Sequence, residues 1–106
     1  MENKKILGLT GLAAKARKIC FGSDSVEERI IKNRVKLLIV AEDASDRTKQ
    51  KFEKLSEKFN TKIIIFSDIE NLSKSIGKPN KAVIGIEDIN IAKEIYKIFD
   101  GGDIIG

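Results

Sequence analysis

The feature that most constrains the fold is a run of five apolar residues, Leu37 to Ala41, which ends at two carboxylates, Glu42 and Asp43. A run this short, apolar on both faces and partly β-branched, is typical of a buried central strand rather than of a helix. In open α/β sheets, ligands bind in the crevice beyond the carboxyl ends of such strands. Glu42, Asp43 and Ser45 are therefore the first candidate site residues. The alternative is that Asp43 or Ser45 only caps the next helix.

The rest of the chain alternates between helical and strand patterns. Short apolar runs predict further strands at 19–21, 63–66 and 82–86, and apolar residues at helical spacing predict helices at 3–18, 26–33, 45–60, 68–76 and 88–99. This order indicates one α/β domain, residues 1–106, with a three-layer α/β/α sandwich around a mixed sheet of about four strands. We assign no structure to the tail, residues 100–106.

The start of the second helix and the glycines of the first helix give two specific predictions. Glu28 follows Ser25 by three residues, which is the capping-box spacing for a helix that begins at Val26. Gly8 and Gly11 weaken the first helix by about 1 kcal/mol each relative to alanine. We therefore expect them to allow a close approach of two backbones or an early bend.

Composition excludes much catalytic chemistry. The chain has no histidine, so Ser-His-Asp and Cys-His catalysis and His-ligated zinc each lack a required part. The single cysteine, Cys20, is expected to be a half-buried packing residue rather than a nucleophile, and it cannot form an internal disulfide, which fits a reducing interior. The glycine-rich loops that bind nucleotide phosphates are missing. We expect no enzyme and no cofactor; Mg²⁺ held by Glu42 and Asp43 is the remaining catalytic alternative.

Charge and hydropathy restrict the partners. No apolar run approaches the roughly 18 to 20 residues of a membrane-spanning helix, so no membrane partner is expected. Lys and Arg exceed Asp and Glu by five over residues 1–36 and by two over 37–81, whereas the acidic residues exceed them by three over 82–106. This basic amino-terminal excess indicates a polyanion partner on one side of the fold.

Three stretches of the sequence together form a recognisable pattern: Gly22-Ser-Asp-Ser-Val-Glu-Glu28, Asn33-Arg-Val-Lys-Leu-Leu-Ile-Val-Ala-Glu-Asp-Ala-Ser45 and Ile76-Gly-Lys-Pro-Asn-Lys-Ala-Val83. With them the chain resembles the ribosomal protein L7Ae family, whose members bind kinked RNA elements called kink-turns. The opening segment, residues 8–18, and the run at residues 41–49 are similar to the small bacterial branch of this family, the YlxQ type. The resemblance covers roughly residues 5–98.

The resemblance implies a cytoplasmic, monomeric protein whose partner is structured RNA, either a kink-turn or ribosomal RNA. In the family, RNA lies across the start of the second helix, the end of the central strand and the loop before the last strand. The corresponding RNA-binding residues here are Gly22, Ser23, Asp24, Ser25, Glu28, Lys32, Glu42, Asp43, Lys78, Pro79 and Lys81. Free N–H groups at a helix start suit phosphate, and the lysines of the loop suit a splayed strand.

The second helix departs from the family pattern Gly-x-Asn-Glu-x-x-Lys. This chain has Gly22, Asp24, Ser25 and Glu28 at those positions, so an amide donor, a guanine-reading carboxylate and a cation are replaced. Each replacement can cost about 1 to 3 kcal/mol of the free energy with which the protein distinguishes one base from another. The alternative to an RNA-binding protein is therefore a protein-interaction module that kept the scaffold and lost kink-turn recognition.

Overall fold

The computed structural model describes the backbone of residues 2–101 and the side chains of residues 4–101. The predicted tail lies, from residue 102 onward, outside the described residues. The elements in chain order are α1 Glu2–Lys15, β1 Ile19–Phe21, α2 Ser23–Ile31, β2 Leu37–Val40, α3 Asp46–Phe59, β3 Lys62–Ile65, α4 Ile69–Ile76, β4 Val83–Ile86 and α5 Ile89–Asp100.

The predicted three-layer α/β/α sandwich with a mixed four-stranded sheet is confirmed. The strand order is β1-β4-β2-β3. Strands β2 and β3 are parallel, whereas β4 runs antiparallel to both of its neighbours. Helix α2 packs against α3, and α1 packs against α4 and α5, so two groups of helices enclose the sheet. The strands β2 and β4 lie at its centre and are buried along their whole length.

The register gives the sheet two distinct ends. At one end lie the last residues of β1, β2 and β3 and the first residue of β4: Phe21, Val40, Ile65 and Val83. We call it the α2 end, because α2 begins there, where the Gly22 N–H donates to the Val83 carbonyl at 3.0 Å. At the opposite end lie Ile19, Leu37, Lys62 and Ile86.

The predicted start of α2 was wrong. The helix begins at Ser23, three residues before Val26, and none of the described side chains caps it. Gly22 has φ 87°, a value that glycine adopts without steric cost, and its carbonyl already accepts from the Val26 N–H at 3.0 Å. The chain thus passes from strand to helix through a glycine turn, and Ser25 lies inside the first helical turn. The capping box expected between Ser25 and Glu28 does not form.

The other helix ends follow the predicted chemistry within a few residues. Asp68 and Asp88 cap α4 and α5 through their carboxylates, and Asn60 and Gly77 end α3 and α4 in the left-handed conformation. Helix α1 ends at Lys15 rather than at residue 18. The reason is a left-handed residue, Arg17, which lets the following N–H close a turn on the carbonyl of residue 13.

The two glycines of α1 differ in their surroundings. A Cβ placed on Gly11 would lie 3.0 Å from the backbone oxygen of Ser75, so the close approach predicted for Gly11 exists, between α1 and α4. Beside it, the hydroxyls of Thr10 and Ser75 are hydrogen-bonded at 2.8 Å. A Cβ on Gly8 would meet none of the described residues within 4 Å, so the close approach was wrong for Gly8, and the early bend stays a prediction.

Candidate nucleic-acid interface

The start of α2 presents free backbone donors at the α2 end. Because the first helical hydrogen bond is donated by Val26, the N–H groups of Ser23, Asp24 and Ser25 have no helical acceptor. The side chains of these three residues are exposed. Unpaired N–H groups and the positive end of the helix dipole together favour an anion at this position.

One turn further along α2, the side chains of Glu28 and Lys32 interact. The Lys32 Nζ lies 3.3 Å from a carboxylate oxygen of Glu28, and both side chains are more than half exposed. Exposed ion pairs of this kind contribute less than about 1 kcal/mol. Glu28 therefore brings a cation towards the helix start, and the pair can open when a phosphate competes for Lys32.

The loop of residues 77–82, which we call the lysine loop, is held in place by a buried serine. Ser73 accepts a hydrogen bond from the Lys81 N–H at 2.7 Å, and its hydroxyl donates to the Lys81 carbonyl at 3.3 Å. Its own carbonyl accepts from the Lys78 N–H at 3.0 Å. Ser73 is a positioning residue that the sequence did not reveal, because a serine within a short helix gives no signal of such a contact.

Two lysines of this loop lie against the last residue of β1. The ammonium groups of Lys78 and Lys81 lie 5.6 and 5.4 Å from the centre of the Phe21 ring. Each such cation–π contact contributes about 0.5 to 1 kcal/mol at an exposed site. The contacts hold two cations at the residue before Gly22, with Pro79 exposed at the tip of the loop. Sequence reasoning missed Phe21; its position at the end of a short strand was the only available signal.

Asp43 also belongs to this group. Its Oδ1 accepts a hydrogen bond from the Ile69 N–H at 2.8 Å, so Asp43 caps α4, while Ser45 caps α3 by accepting from the Thr48 N–H at 3.1 Å. Asp43 borders the same groove as Lys78 and the tip of the loop. The capping alternative therefore holds for Ser45 with the next helix, and Asp43 fixes α4 against the end of β2 instead.

Glu42 lies apart from the other predicted residues. Its N–H donates to the Ser67 carbonyl at 2.8 Å, and its side chain borders a separate hollow formed with Ile6, Phe66 and Phe99. Glu42 and Asp43 are the two central residues of a turn that the Ala44 N–H closes on the Ala41 carbonyl at 3.1 Å, and the two residues border different hollows. The α2 end thus brings together the start of α2, Asp43 and the lysine loop, and leaves Glu42 on the side of α1 and α5.

Two observations concern metal ligands and the cysteine. Within residues 4–101, no three Cys, Asp or Glu side chains are grouped closely enough to hold a metal ion. Cys20 is buried, and its thiol faces the Gly85 carbonyl. Burial, with a smaller contribution from the nearby Glu87 carboxylate, raises the pKa of Cys20 to about 12. At neutral pH the thiol is protonated and is a poor nucleophile.

No helix within the described range has the length and apolar character needed to cross a membrane. The fold and the α2 end define an α/β/α protein of the ribosomal L7Ae type. Residues 4–96 match the Ribosomal protein L7Ae/L30e/S12e/Gadd45 family, and the chain belongs to that family.

Its relatives include two that carry the name RNA-binding protein YlxQ. The chain is 34% identical over 103 residues to the protein of Bacillus subtilis (strain 168), covering 94% of this chain and 100% of the relative. It is also 34% identical over 101 residues to the protein of Enterococcus faecium, covering 94% and 96% of the two chains.

Two solved structures have a similar fold. A protein of unknown function from Bacillus halodurans C superposes with a TM-score of 0.88 at 29% identity, over 91% of this chain and 97% of the other. The Giardia lamblia 15.5kD RNA binding protein superposes with a TM-score of 0.80, over 93% and 88% of the two chains. At 18% identity, this second similarity concerns the fold alone.

Proposed function

We propose that the chain is a non-enzymatic RNA-binding protein that binds structured RNA, either a kink-turn or ribosomal RNA, at the α2 end. The observation that carries the proposal is the convergence of two kinds of phosphate ligand. The uncapped first turn of α2 supplies backbone N–H groups, and the loop held against Phe21 supplies two ammonium groups, Lys78 and Lys81. Relatives with the name RNA-binding protein support the partner class. A monomer in the cytoplasm remains our expectation.

In this arrangement each group has a separate role. Ser23 to Ser25 approach the backbone of a kinked strand through their N–H groups, whereas Gly22 forms the turn before them and keeps its N–H bonded to the Val83 carbonyl. Ser25 reaches a base edge as a weak donor or acceptor. Lys32 exchanges Glu28 for a phosphate, while Lys78 and Lys81 hold the strand that leaves the kink. Asp43 keeps α4, and with it the lysine loop, in register with the end of β2.

The binding surface can be tested with a pair of charge-matched variants. Lys78→Gln combined with Lys81→Gln removes two cations from the α2 end; Lys5→Gln combined with Lys54→Gln removes two exposed cations from α1 and α3. If two phosphates are contacted, the slope of log affinity against log salt should become shallower by about 1.5 in the first variant. The control should change it far less.

This titration also separates the two function classes. Saturable binding that depends on the loop lysines supports an RNA-binding protein. Absence of saturable binding at about 50 mM salt, with both a kink-turn panel and ribosomal RNA, would contradict the proposal and favour the protein-interaction module.

Kink-turn recognition can be tested at the start of α2. The triple variant Asp24→Asn, Ser25→Glu, Glu28→Lys restores the family's amide, carboxylate and cation, and raises the formal charge by two. We expect tighter binding to a standard kink-turn. Glu53→Lys is the control, because it adds the same two charges on the exposed surface of α3.

The result depends on comparing two RNAs. The triple variant should bind the kink-turn more tightly than Glu53→Lys does, and should prefer it over a straight duplex of equal length. Equal affinity of the triple variant for both RNAs would show that the start of α2 is not the recognition surface, and would leave Gly22 to Glu28 as the beginning of a helix only.

A further inference from the structure

The end of the sheet opposite α2 carries a cluster of exposed cations. Arg17 and Lys18 precede β1, and Arg34 and Lys36 precede β2; all four are exposed and line one hollow. Two backbone hydrogen bonds of 2.7 Å hold these segments to the end of β4. The Lys36 N–H donates to the carbonyl of the last residue of β4, and the Lys18 carbonyl accepts from the N–H of the residue that follows β4. We call these four residues the basic end.

Acidic groups near the basic end are already engaged. Among the described residues, Glu87 is the one carboxylate that lines this hollow, and both of its oxygens accept from Arg29 Nη1, at 3.1 and 2.8 Å. The neighbouring Asp88 carboxylate accepts from two N–H groups at the start of α5. Among the described residues, none of the ion pairs includes a cation of the basic end. The cluster therefore keeps its positive charge.

The basic end continues into a partly apolar cleft. Lys36 lines the hollow and also a cavity of about 350 Å³ that reaches Leu37, Ile89 and Tyr96. Within the part of the chain that the structure describes, no carboxylate lines this cavity, and three more lysines do: Lys62, Lys93 and Lys97. The Lys62 ammonium lies 4.7 Å from the centre of the Tyr96 ring, so the ring carries a cation on one face.

We propose that the basic end and this cleft form a second RNA-binding surface, which takes a single-stranded segment: its phosphates lie along Arg17, Lys18, Arg34 and Lys36, and one base enters the cleft beside Tyr96. The proposal goes beyond binding at the α2 end, because the two surfaces share no residue. A protein with both would hold two segments of RNA at opposite ends of its sheet.

The combination of groups identifies the ligand class. A row of free cations alone fits any polyanion, but a partly apolar, aromatic-lined cavity beside the row fits a chain that alternates charge with flat apolar surface. Single-stranded nucleic acid has that alternation, and proteins bind it through cationic tracks with aromatic side chains for the bases. In a duplex the bases are paired and stacked, so none is free to enter the cleft.

The test uses the complete protein and a ten-nucleotide oligouridylate. The variant Arg17→Gln, Arg34→Gln, Lys36→Gln is compared with Lys4→Gln, Lys5→Gln, Lys54→Gln, which loses the same charge from exposed positions elsewhere. With about 0.7 counterions released per single-strand phosphate, loss of three contacts should make the salt slope shallower by about 2. We expect at least a tenfold loss of affinity at 50 mM salt for the first variant, and a much smaller loss for the control.

Two further measurements separate this surface from the alternatives. Inorganic polyphosphate of equal charge should compete at least tenfold less well than the oligonucleotide, because it has no base for the cleft. The Lys78→Gln, Lys81→Gln variant lacks the loop cations of the α2 end and should lose less affinity for the oligonucleotide than the Arg17→Gln, Arg34→Gln, Lys36→Gln variant, so the contributions of the two ends are measured separately. Equal losses in the two triple variants, or equal competition by polyphosphate, would overturn the proposal.

Discussion

Replacing Gly85 with alanine should destabilise the protein through a contact at the centre of the sheet. Gly85 lies in β4 between Cys20 of β1 and Leu38 of β2. A Cβ placed on Gly85 would lie 2.7 Å from Cys20 Sγ and 3.0 Å from a methyl group of Val35. Cys20 and Val35 are both buried, at 5% and 3% exposure, so neither can move into solvent.

The size of the effect follows from two opposing terms. Inserting a methyl group into a well-packed core costs about 1 to 3 kcal/mol. Removing the backbone freedom of a glycine within a strand returns about 0.5 to 1 kcal/mol. The difference spans about 0 to 2.5 kcal/mol. Because the Cβ would approach two buried side chains at once, we expect a loss in the upper half of that range, above about 1 kcal/mol, which in a protein of this size lowers the Tm by roughly 5 °C or more.

A double-mutant cycle with Cys20→Ala tests the cause. Removing the sulfur takes away the closest atom, so Gly85→Ala should cost at least about 1 kcal/mol less in the Cys20→Ala background. Urea unfolding of wild type, both single variants and the double variant measures this coupling. A neutral Gly85→Ala, or the same loss in both backgrounds, would refute the argument that the sulfur requires glycine at this position.

Three further predictions concern stability and reactivity. Gly8→Ala should raise the free energy of unfolding by about 0.5 to 1 kcal/mol, whereas Gly11→Ala should gain nothing or lose stability against the backbone of α4; thermal melts of the two variants check this. Ser45→Ala should cost about 1 kcal/mol in urea unfolding, because the Thr48 N–H loses its cap, and Ser45→Asp should restore it. Cys20 should resist iodoacetamide at pH 8 until the protein unfolds; since its folded pKa is raised, its contribution to stability is complete below pH 9 and is lost as the pH rises towards 12, which unfolding curves across that range would reveal.

The strands and most helix ends could be predicted because their causes are local. Strands β2 and β4 are apolar on both faces since both faces are covered, and a sequence shows this directly. Asp68 and Asp88 lie next to the N–H groups that they cap, so residue type and position are sufficient. The start of α2 has a distant cause: Gly22 is held by Val83 across the sheet. The capping-box spacing contains no information about that hydrogen bond, so it predicted a later start of the helix.

The candidate site could be predicted only in part, for a similar reason. The family resemblance grouped the start of α2 with the lysine loop, but the loop is placed by Phe21, whose ring lies near the two ammonium groups, and by Ser73, which binds the loop to α4. Neither contact can be predicted from spacing along the chain. Glu42 and Asp43 are adjacent in sequence, yet one borders α1 and α5 and the other caps α4. Their divergence depends on how β2 ends, and a sequence pattern does not fix that to the residue.

The distribution of charge gives the two ends of the molecule different physical roles. The basic excess of residues 1–36 is prominent at the basic end, whereas at the α2 end Asp24 and Asp43 offset Lys78 and Lys81. Helix α2 runs from one end towards the other, and its nine residues span about 14 Å. That distance exceeds the Debye length of about 10 Å at 0.1 M salt, so the charge of one end is largely screened at the other. Under our two proposals, salt-dependent binding at the α2 end must then come from its own cations, Lys78 and Lys81, and the basic end adds a separate salt-dependent contribution.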